Sequence, residues 1–269
     1  MITSTSNQKI KNVIALKKSS RARREAGVFM VEGIRMFREL DEKLVQEVFM
    51  TERVYSKHKA EIDEWLGLYE GSLYGTHAHI ETVSEEVYAK ISDTVTPQGI
   101  MAIVKQYDYS VEDVLGEGDR LVLLLEDIQD PGNLGTMFRT AEAAGVSGIV
   151  MSKGTVDVYN PKVIRSTMGA LFRVPFIYTE EMNHFISEMR SDDYNVYAAA
   201  LEGAVPYTKV DYSGRAAILI GNEGNGLKKQ TVDISTRSVF IPMAGSVESL
   251  NASVSAAVLM YEAARQRGM

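Results

Sequence analysis

From residue 121 onward, short apolar runs alternate with amphipathic stretches. The runs near 121–125, 147–151, 174–178, 195–200, 216–220 and 238–241 have the length and content of buried strands. After the first of them comes a polar Pro-Gly-Asn turn. Leu134, Met137, Phe138 and Ala141 then recur at the i, i+3, i+4, i+7 offsets that place side chains on one helix face, and Gly145 supplies a stop. Residues 238–265 read as a strand, a polar loop and a long helix whose apolar side is Val254, Val258 and Tyr261. Strands alternating with helices predict an α/β domain, a mostly parallel sheet with helices on both faces.

The first hundred residues follow a different rhythm. Residues 29–32, 47–50 and 100–105 read as strands, the last after the turn Thr96-Pro97-Gln98-Gly99, and 33–40, 57–68 and 84–91 as helices. This predicts a separate, small α/β sandwich. Between 106 and 120 the chain turns acidic and irregular, with Asp108, Glu112, Asp113, Glu117 and Asp119, as expected of a domain boundary. Four segments result: an N-terminal arm over 1–24, a small domain over 25–106, a linker over 107–119 and a large domain over 120–269.

Charge changes the picture of the arm. Its Lys9, Lys11, Lys17, Lys18, Arg21, Arg23 and Arg24 are accompanied by no carboxylate, so the remaining chain carries −14 of a total of −7. A basic arm on an acidic body can draw in a polyanion while the body stays soluble, although charge alone fits a solvated helix equally well. Ile10, Val13, Ile14 and Leu16 give this arm partial amphipathic spacing.

Composition excludes several chemistries. At 269 residues and 45 % hydrophobic content the chain can bury real cores. Without cysteine it has no disulfide, no Cys-ligated zinc and no thiol nucleophile, which fits a cytoplasmic location. No secretory signal is visible and no apolar run approaches the ~18 residues of a membrane span. His58, His77, His79 and His184 form no metal or nucleophile pattern, and His77 and His79 alternate as on a strand or turn. The turn GNLGTMF is not the dinucleotide fingerprint and no P-loop occurs, which argues against a nicotinamide enzyme and an NTPase.

Three strand-loop-helix segments carry the remaining polar residues: DPGNLGTMFRTAEAAG, IGNEGNGL and IPMAGSVESLNASVSAA. In this order, and with NPKVIRSTMGA between the first two, they resemble the three motifs of the SpoU/TrmH-type RNA ribose 2′-O-methyltransferases of the SPOUT class. FMVEGIRMFREL and TPQGIMAIV resemble, over shorter stretches, the substrate-binding domain that precedes that catalytic domain.

The resemblance implies S-adenosylmethionine as cofactor, no metal, and RNA as substrate, 23S ribosomal RNA before transfer RNA. It also implies a deep trefoil knot in the C-terminal domain, a homodimer packed through the knotted region, and a ribosomal-protein-L30e-like N-terminal domain that holds RNA. Arg139 is then the residue that meets the 2′-hydroxyl and a neighbouring phosphate. A guanidinium holds its proton in proteins, so its expected task is to stabilise negative charge on the attacking oxygen, with phosphate or water taking the proton. Asn133 and Glu223 would orient Arg139 or the ribose, and Ser249 and Asn251 would complete the catalytic group.

For the cofactor, the resemblance implies Gly221 as part of a backbone cradle and Ile241, Met243 and Leu250 as an adenine clamp. The basic arm and Arg165 would hold RNA. Taken without the family, Arg139 is an ordinary ion-pair partner, Asn133, Ser249 and Asn251 are helix caps, Glu223 is a solvated turn carboxylate and Met243 fills core. An RNA-binding assembly factor without catalysis is the alternative from another class.

Overall fold

The computed structural model describes residues 1–65 and 78–269, which form two compact units: 1–107 with 159–165, and 108–158 with 166–269.

The first unit is built on four strands, β1 (Val28–Glu32), β2 (Val45–Thr51), β3 (His79–Val83) and β4 (Ile100–Lys105), in the order β1-β4-β2-β3. β4 runs antiparallel to both β1 and β2, and β3, which begins at His79, is parallel to β2. Around the sheet lie α1 (Gln8–Lys18), α2 (Ser20–Ala26), α3 (Ile34–Phe37), α4 (Glu52–Trp65) and α5 (Glu85–Ile91). The helix expected near 57–68 begins earlier, at Glu52, and kinks at His58; positions 66–68, like His77, lie outside the described residues.

The N-terminal arm is not a free appendage. Its apolar positions Ile10, Val13 and Leu16 are buried with Val28, Val87 and Ile91, which ties α1 into the core of the first unit. Hydrophobic spacing that is only partial was enough, because a short stripe covers the ends of β1 and α5 rather than a whole sheet face.

The second unit holds seven strands: β5 (Leu121–Leu125), β6 (Gly148–Ser152), β7 (Phe176–Thr179), β8 (Asn195–Ala199), β9 (Val205–Pro206), β10 (Ala216–Ile220) and β11 (Arg237–Phe240). Their order is β7-β6-β5-β10-β8-β11-β9, and every pairing is parallel. The sheet is thus wholly parallel where a mostly parallel one was expected, and the two-residue β9 has no pattern to betray it. The helices are α6 (Val111–Leu115), α7 (Pro131–Ala143), α8 (Pro161–Thr167), which straddles the two units, α9 (Met182–Ser191), α10 (Lys229–Asp233) and α11 (Ala252–Gln266).

All five residues of β5 are buried, as in a sheet covered on both faces. Val122 and Leu124 pack with Phe185, Ile186 and Met189 of α9. Val114 joins this core. The stretch 107–119 is therefore no bare linker: α6, closed by a Ser110–Asp113 capping box, is pinned to the sheet by its one buried apolar side chain.

One expectation is reversed. In α11 the buried apolar face is Ala256, Leu259, Met260 and Ala263, whereas Val254 and Tyr261 are 47 % and 50 % exposed and Val258 is half-buried. The sequence contains two apolar stripes on opposite sides of this helix. Apolar spacing alone does not say which stripe is the inner one, and the helix packs on α7 and β10 with the stripe of Ala256, Leu259, Met260 and Ala263 buried.

Near the end of α11, Glu262 accepts hydrogen bonds from Arg265 Nε and Nη2 and from Gln266 Nε2, each at 2.8 Å. The Arg265 bonds outweigh burial and lower its carboxyl from an ordinary 4.5 to about 2. A lowered folded-state value means that the ionised form stabilises the fold; that contribution is complete above the ordinary carboxylate range and is lost as pH falls toward about 2. Acid unfolding followed by circular dichroism should start at lower pH in the parent chain than in Glu262→Ala. No helix among the described residues is long and apolar enough to cross a membrane.

Candidate active site

The chain leaves β5 toward β6 and β7 on one side, then returns beyond β5 to place β8, β9, β10 and β11 on the other, with β10 directly beside β5. The crevice outside the carboxyl ends of β5 and β10 is therefore the topological switch point, where open α/β sheets bind ligands.

A polar cavity of about 580 Å³ opens there, lined by Gln129, Asp130 and Asn133 after β5, Glu223 after β10, and Leu250 and Asn251 before α11. Glu223 organises it. Its Oε1 accepts from Asp130 N–H and Asn133 Nδ2 and its Oε2 from Gln129 N–H, all at 3.0 Å. Burial would raise its carboxyl, but the donors from Asn133, Gln129 and Asp130 prevail and hold it below the usual carboxylate value. Asn133 Oδ1 accepts in turn from Asn251 Nδ2 at 3.0 Å. Asn251 Oδ1 accepts from Ser253 N–H at 2.9 Å, capping α11, so it is a helix cap and a member of the cluster together.

Asn133 itself is not a cap. Asp130 caps α7 by accepting from Asn133 N–H at 2.8 Å, with Pro131 in the first turn, the common sequence of a helix start. This leaves the Asn133 amide free to bridge Glu223 and Asn251. Gln129 and Asp130, whose backbone builds the cavity wall, went unnoticed in the sequence, although Asp-Pro before an apolar repeat is a readable signal.

The structure does not bring Arg139 into this cluster. It lies six residues beyond Asn133, about 9 Å along the helix axis, is exposed, and makes no hydrogen bond or ion pair with any described residue. Asn133 and Glu223 bond to each other and make no bond to Arg139 among the described residues, which leaves the ribose or another bound group as what they could orient. The ion-pair reading fails as well, since the nearby carboxylate Glu142 is taken by Arg173.

A second, smaller cavity of about 130 Å³ lies at the carboxyl ends of β8 and β11. Ile241, Met243, Ser249 and Leu250 line it, and Leu250 is the residue it shares with the polar cavity. Ser249 thus belongs to the apolar slot and not to the cluster of Asn133, Glu223 and Asn251. The main-chain groups of Met243 and Leu250 bond to no described residue. Free main-chain donors and acceptors beside aliphatic walls are what the edge and faces of an adenine require, so these residues fit the adenosyl end of S-adenosylmethionine. Gly221 lines neither cavity: a Cβ there would lie 2.5 Å from Leu227 N and against the backbone of Gly226, so its lack of a side chain serves the turn between them.

The basic residues separate into two groups. In the first unit Lys9 pairs with Glu81, Lys17 donates to the carbonyls of Lys90 and Ser92, Arg21 pairs with Glu25, and Arg165 binds Asp93 at 2.7 Å. Arg23 is only 3 % exposed and donates to Leu16 O at 2.6 Å, so it holds the arm together and offers nothing to a ligand. Lys11, Lys18 and Arg24 are exposed and unpaired among the described residues. No cluster of metal-ligating side chains occurs among the described residues.

Residues 120–261 match the SpoU rRNA methylase family, and residues 7–102 match the MRM3-like substrate binding domain. The chain is 32 % identical over 260 residues to the 23S rRNA (guanosine(2553)-2′-O)-methyltransferase RlmP of Bacillus subtilis, covering 97 % of each. It is similar in structure to the AdoMet-bound rRNA methyltransferase of Sinorhizobium meliloti, with a TM-score of 0.85, 29 % identity and coverage of 98 % of this chain and 97 % of that one. The SpoU methyltransferase AviRb of Streptomyces viridochromogenes in complex with AdoMet has a TM-score of 0.82 at 25 % identity, with coverage of 97 % and 98 %. Two cavities at the carboxyl ends of a parallel sheet, one polar and one apolar, thus occur in a chain that belongs to the SpoU rRNA methylase family, the S-adenosylmethionine-dependent RNA ribose 2′-O-methyltransferases.

Proposed function

We propose that this chain methylates the ribose 2′-hydroxyl of a nucleotide in 23S ribosomal RNA. The observation that carries the reading is the junction at Leu250 of an apolar slot suited to an adenosyl group and a polar cavity suited to a ribose. S-adenosylmethionine supplies the methyl group on a cationic sulfonium. Ile241, Met243 and Leu250 hold the adenine end, with Ser249 at the rim and Gly221 shaping the loop behind. Asn133, Glu223 and Asn251 form a preorganised frame for the sugar, their amides fixed by mutual hydrogen bonds. Glu223 already accepts three hydrogen bonds and is a weak base, so the proton of the 2′-hydroxyl leaves to phosphate or water. Arg139, unpaired on α7, stabilises the negative charge on the attacking oxygen. Lys11, Lys18 and Arg24 attract the RNA backbone, and Arg165 acts once released from Asp93.

Tritium transfer from labelled cofactor into 23S RNA prepared from cells lacking the protein tests this. Incorporation confined to one nucleotide is expected. No incorporation above an Arg139→Ala control would instead favour an RNA-binding assembly factor, and label appearing only in transfer RNA would replace the substrate.

The same reading includes a homodimer formed through a knotted C-terminal domain and action in the cytoplasm, where ribosomal RNA is made. The outer stripe of α11, with Val254 and Tyr261 about half exposed and Val247 60 % exposed on the preceding loop, supports such a contact. Sedimentation of the double variant Val254→Lys, Tyr261→Lys should show a monomer where the parent sediments as a dimer.

A further inference from the structure

A third cavity, of about 500 Å³, shares Gln129 with the polar cavity. It sits at the carboxyl ends of three neighbouring strands, with Gly154 after β6, Asp127 after β5 and Asn225 and Lys228 after β10. The loop after β10 contributes to both cavities. That loop is a tight hairpin, with Asn222 N–H to Gly226 O at 3.1 Å and Gly226 N–H to Asn222 O at 2.9 Å. It presents Glu223 to one cavity and Asn225 to the other.

The floor is built at some conformational cost. Asp127 is a non-glycine residue at φ 56°, a backbone state that asparagine and aspartate adopt more readily than most and that persists where surroundings impose it. Ser152 Oγ donates to its Oδ1 at 2.7 Å, Lys228 Nζ to its Oδ2 at 2.7 Å, and Asn222 Nδ2 to its carbonyl at 2.8 Å. Gly154 must lack a side chain, because a Cβ would collide with the Asp127 carboxylate.

What remains open to a ligand is a specific set of groups. Gln129 Nε2 donates to Asp127 O at 3.1 Å and Gly154 O at 2.6 Å, which uses both its N–H groups and leaves Oε1 as an acceptor. Lys228 has one N–H committed to Asp127 and is 54 % exposed, so it retains donors. The Asn225 backbone N–H donates to Asn222 Oδ1 at 3.0 Å, and its side-chain amide has no partner among the described residues. A cavity lined by both a lysine donor and a free amide oxygen can take a keto oxygen and its neighbouring ring N–H, as in guanine or uracil; adenine offers an amino group where the keto oxygen would be, which a lysine cannot bond.

We infer that this cavity is a base-reading subsite for a guanine or uracil flanking the methylated nucleotide. The inference rests on the RNA-methylation reading above: one wall is common to the ribose cavity and this one, so a continuous strand entering the first runs past the second. Lys228 and Asn225 are specificity residues and not part of the catalytic group.

The test has two arms. In steady-state transfer to 23S RNA, Asn225→Ala and Lys228→Met should each raise KM for RNA about tenfold, the worth of roughly one hydrogen bond to a charged or amide group, and leave kcat within about twofold. Independently of turnover, GMP and UMP at millimolar concentration should shift the backbone amide resonances of Gly154, Asn225 and Leu227. AMP and CMP should not, and the shifts should vanish in both variants. Unchanged KM in both variants, or equal shifts from all four nucleotides, overturns the subsite. If the parent chain transfers no label, the methylation reading falls, and the nucleotide shifts alone then decide this one: selective shifts sustain it and their absence ends it.

Discussion

Replacing Arg139 by alanine is expected to lower kcat about 10²–10³-fold, the order of loss when a donor to developing negative charge is removed. The same change should leave the melting temperature unaltered, because Arg139 is exposed and bonds to no described residue. This combination is unusual and diagnostic. A structural arginine would lose stability along with rate; a bystander would lose neither. Arg139→Lys keeps the charge but not the planar fork, and most of the rate should be lost there too. Full activity of the lysine variant would remove Arg139 from the mechanism, and calorimetry beside single-turnover transfer measures both quantities.

The second large effect is expected from a methyl group. In Gly221→Ala the new Cβ would lie 2.5 Å from Leu227 N and press on the backbone of Gly226, where no flexible side chain can yield. Overpacking of this kind costs about 1–3 kcal/mol. The functional loss should be greater than the stability loss, since the hairpin that must open is the one that carries Glu223 to Gln129, Asp130 and Asn133. Denaturant unfolding together with transfer assays would separate the two. Gly224→Ala is the control: its nearest neighbour would be Asn222 Oδ1 at 3.6 Å, an ordinary contact, and it should retain activity.

Much of this site was legible because its parts are local. Asp130, Pro131 and the apolar repeat of α7 announce a helix start, and Gly221 to Gly226 announce a turn after an apolar strand. Six of the seven strands of the large sheet followed from periodicity, and the family motifs assigned its chemistry. What periodicity could not give was partnership across the chain. That Asn133 bonds Glu223, 90 positions away, and Asn251, 118 away, depends on the β5–β10 adjacency, which no local signal encodes. Arg139 falls off the apolar stripe of α7, so its exposure could be read locally, whereas its distance from that group could not.

The N-terminal region taught the complementary lesson. Charge counting grouped seven cations into one arm, yet Arg23 is buried and three others are committed to neighbours, because a formal charge carries no information about what a folded side chain touches. In α11, alanine, leucine and methionine face inward while valine and tyrosine face out, so apolar spacing alone could not tell the two sides apart.

The slot beside Met243 and the pocket around Glu223 touch at Leu250 and share no other wall. Neither ligand needs the other to finish its binding surface, so methyl donor and nucleic acid are free to load in either order. Initial-rate plots for the two substrates should then intersect, and a product analogue of one should fail to compete with the other.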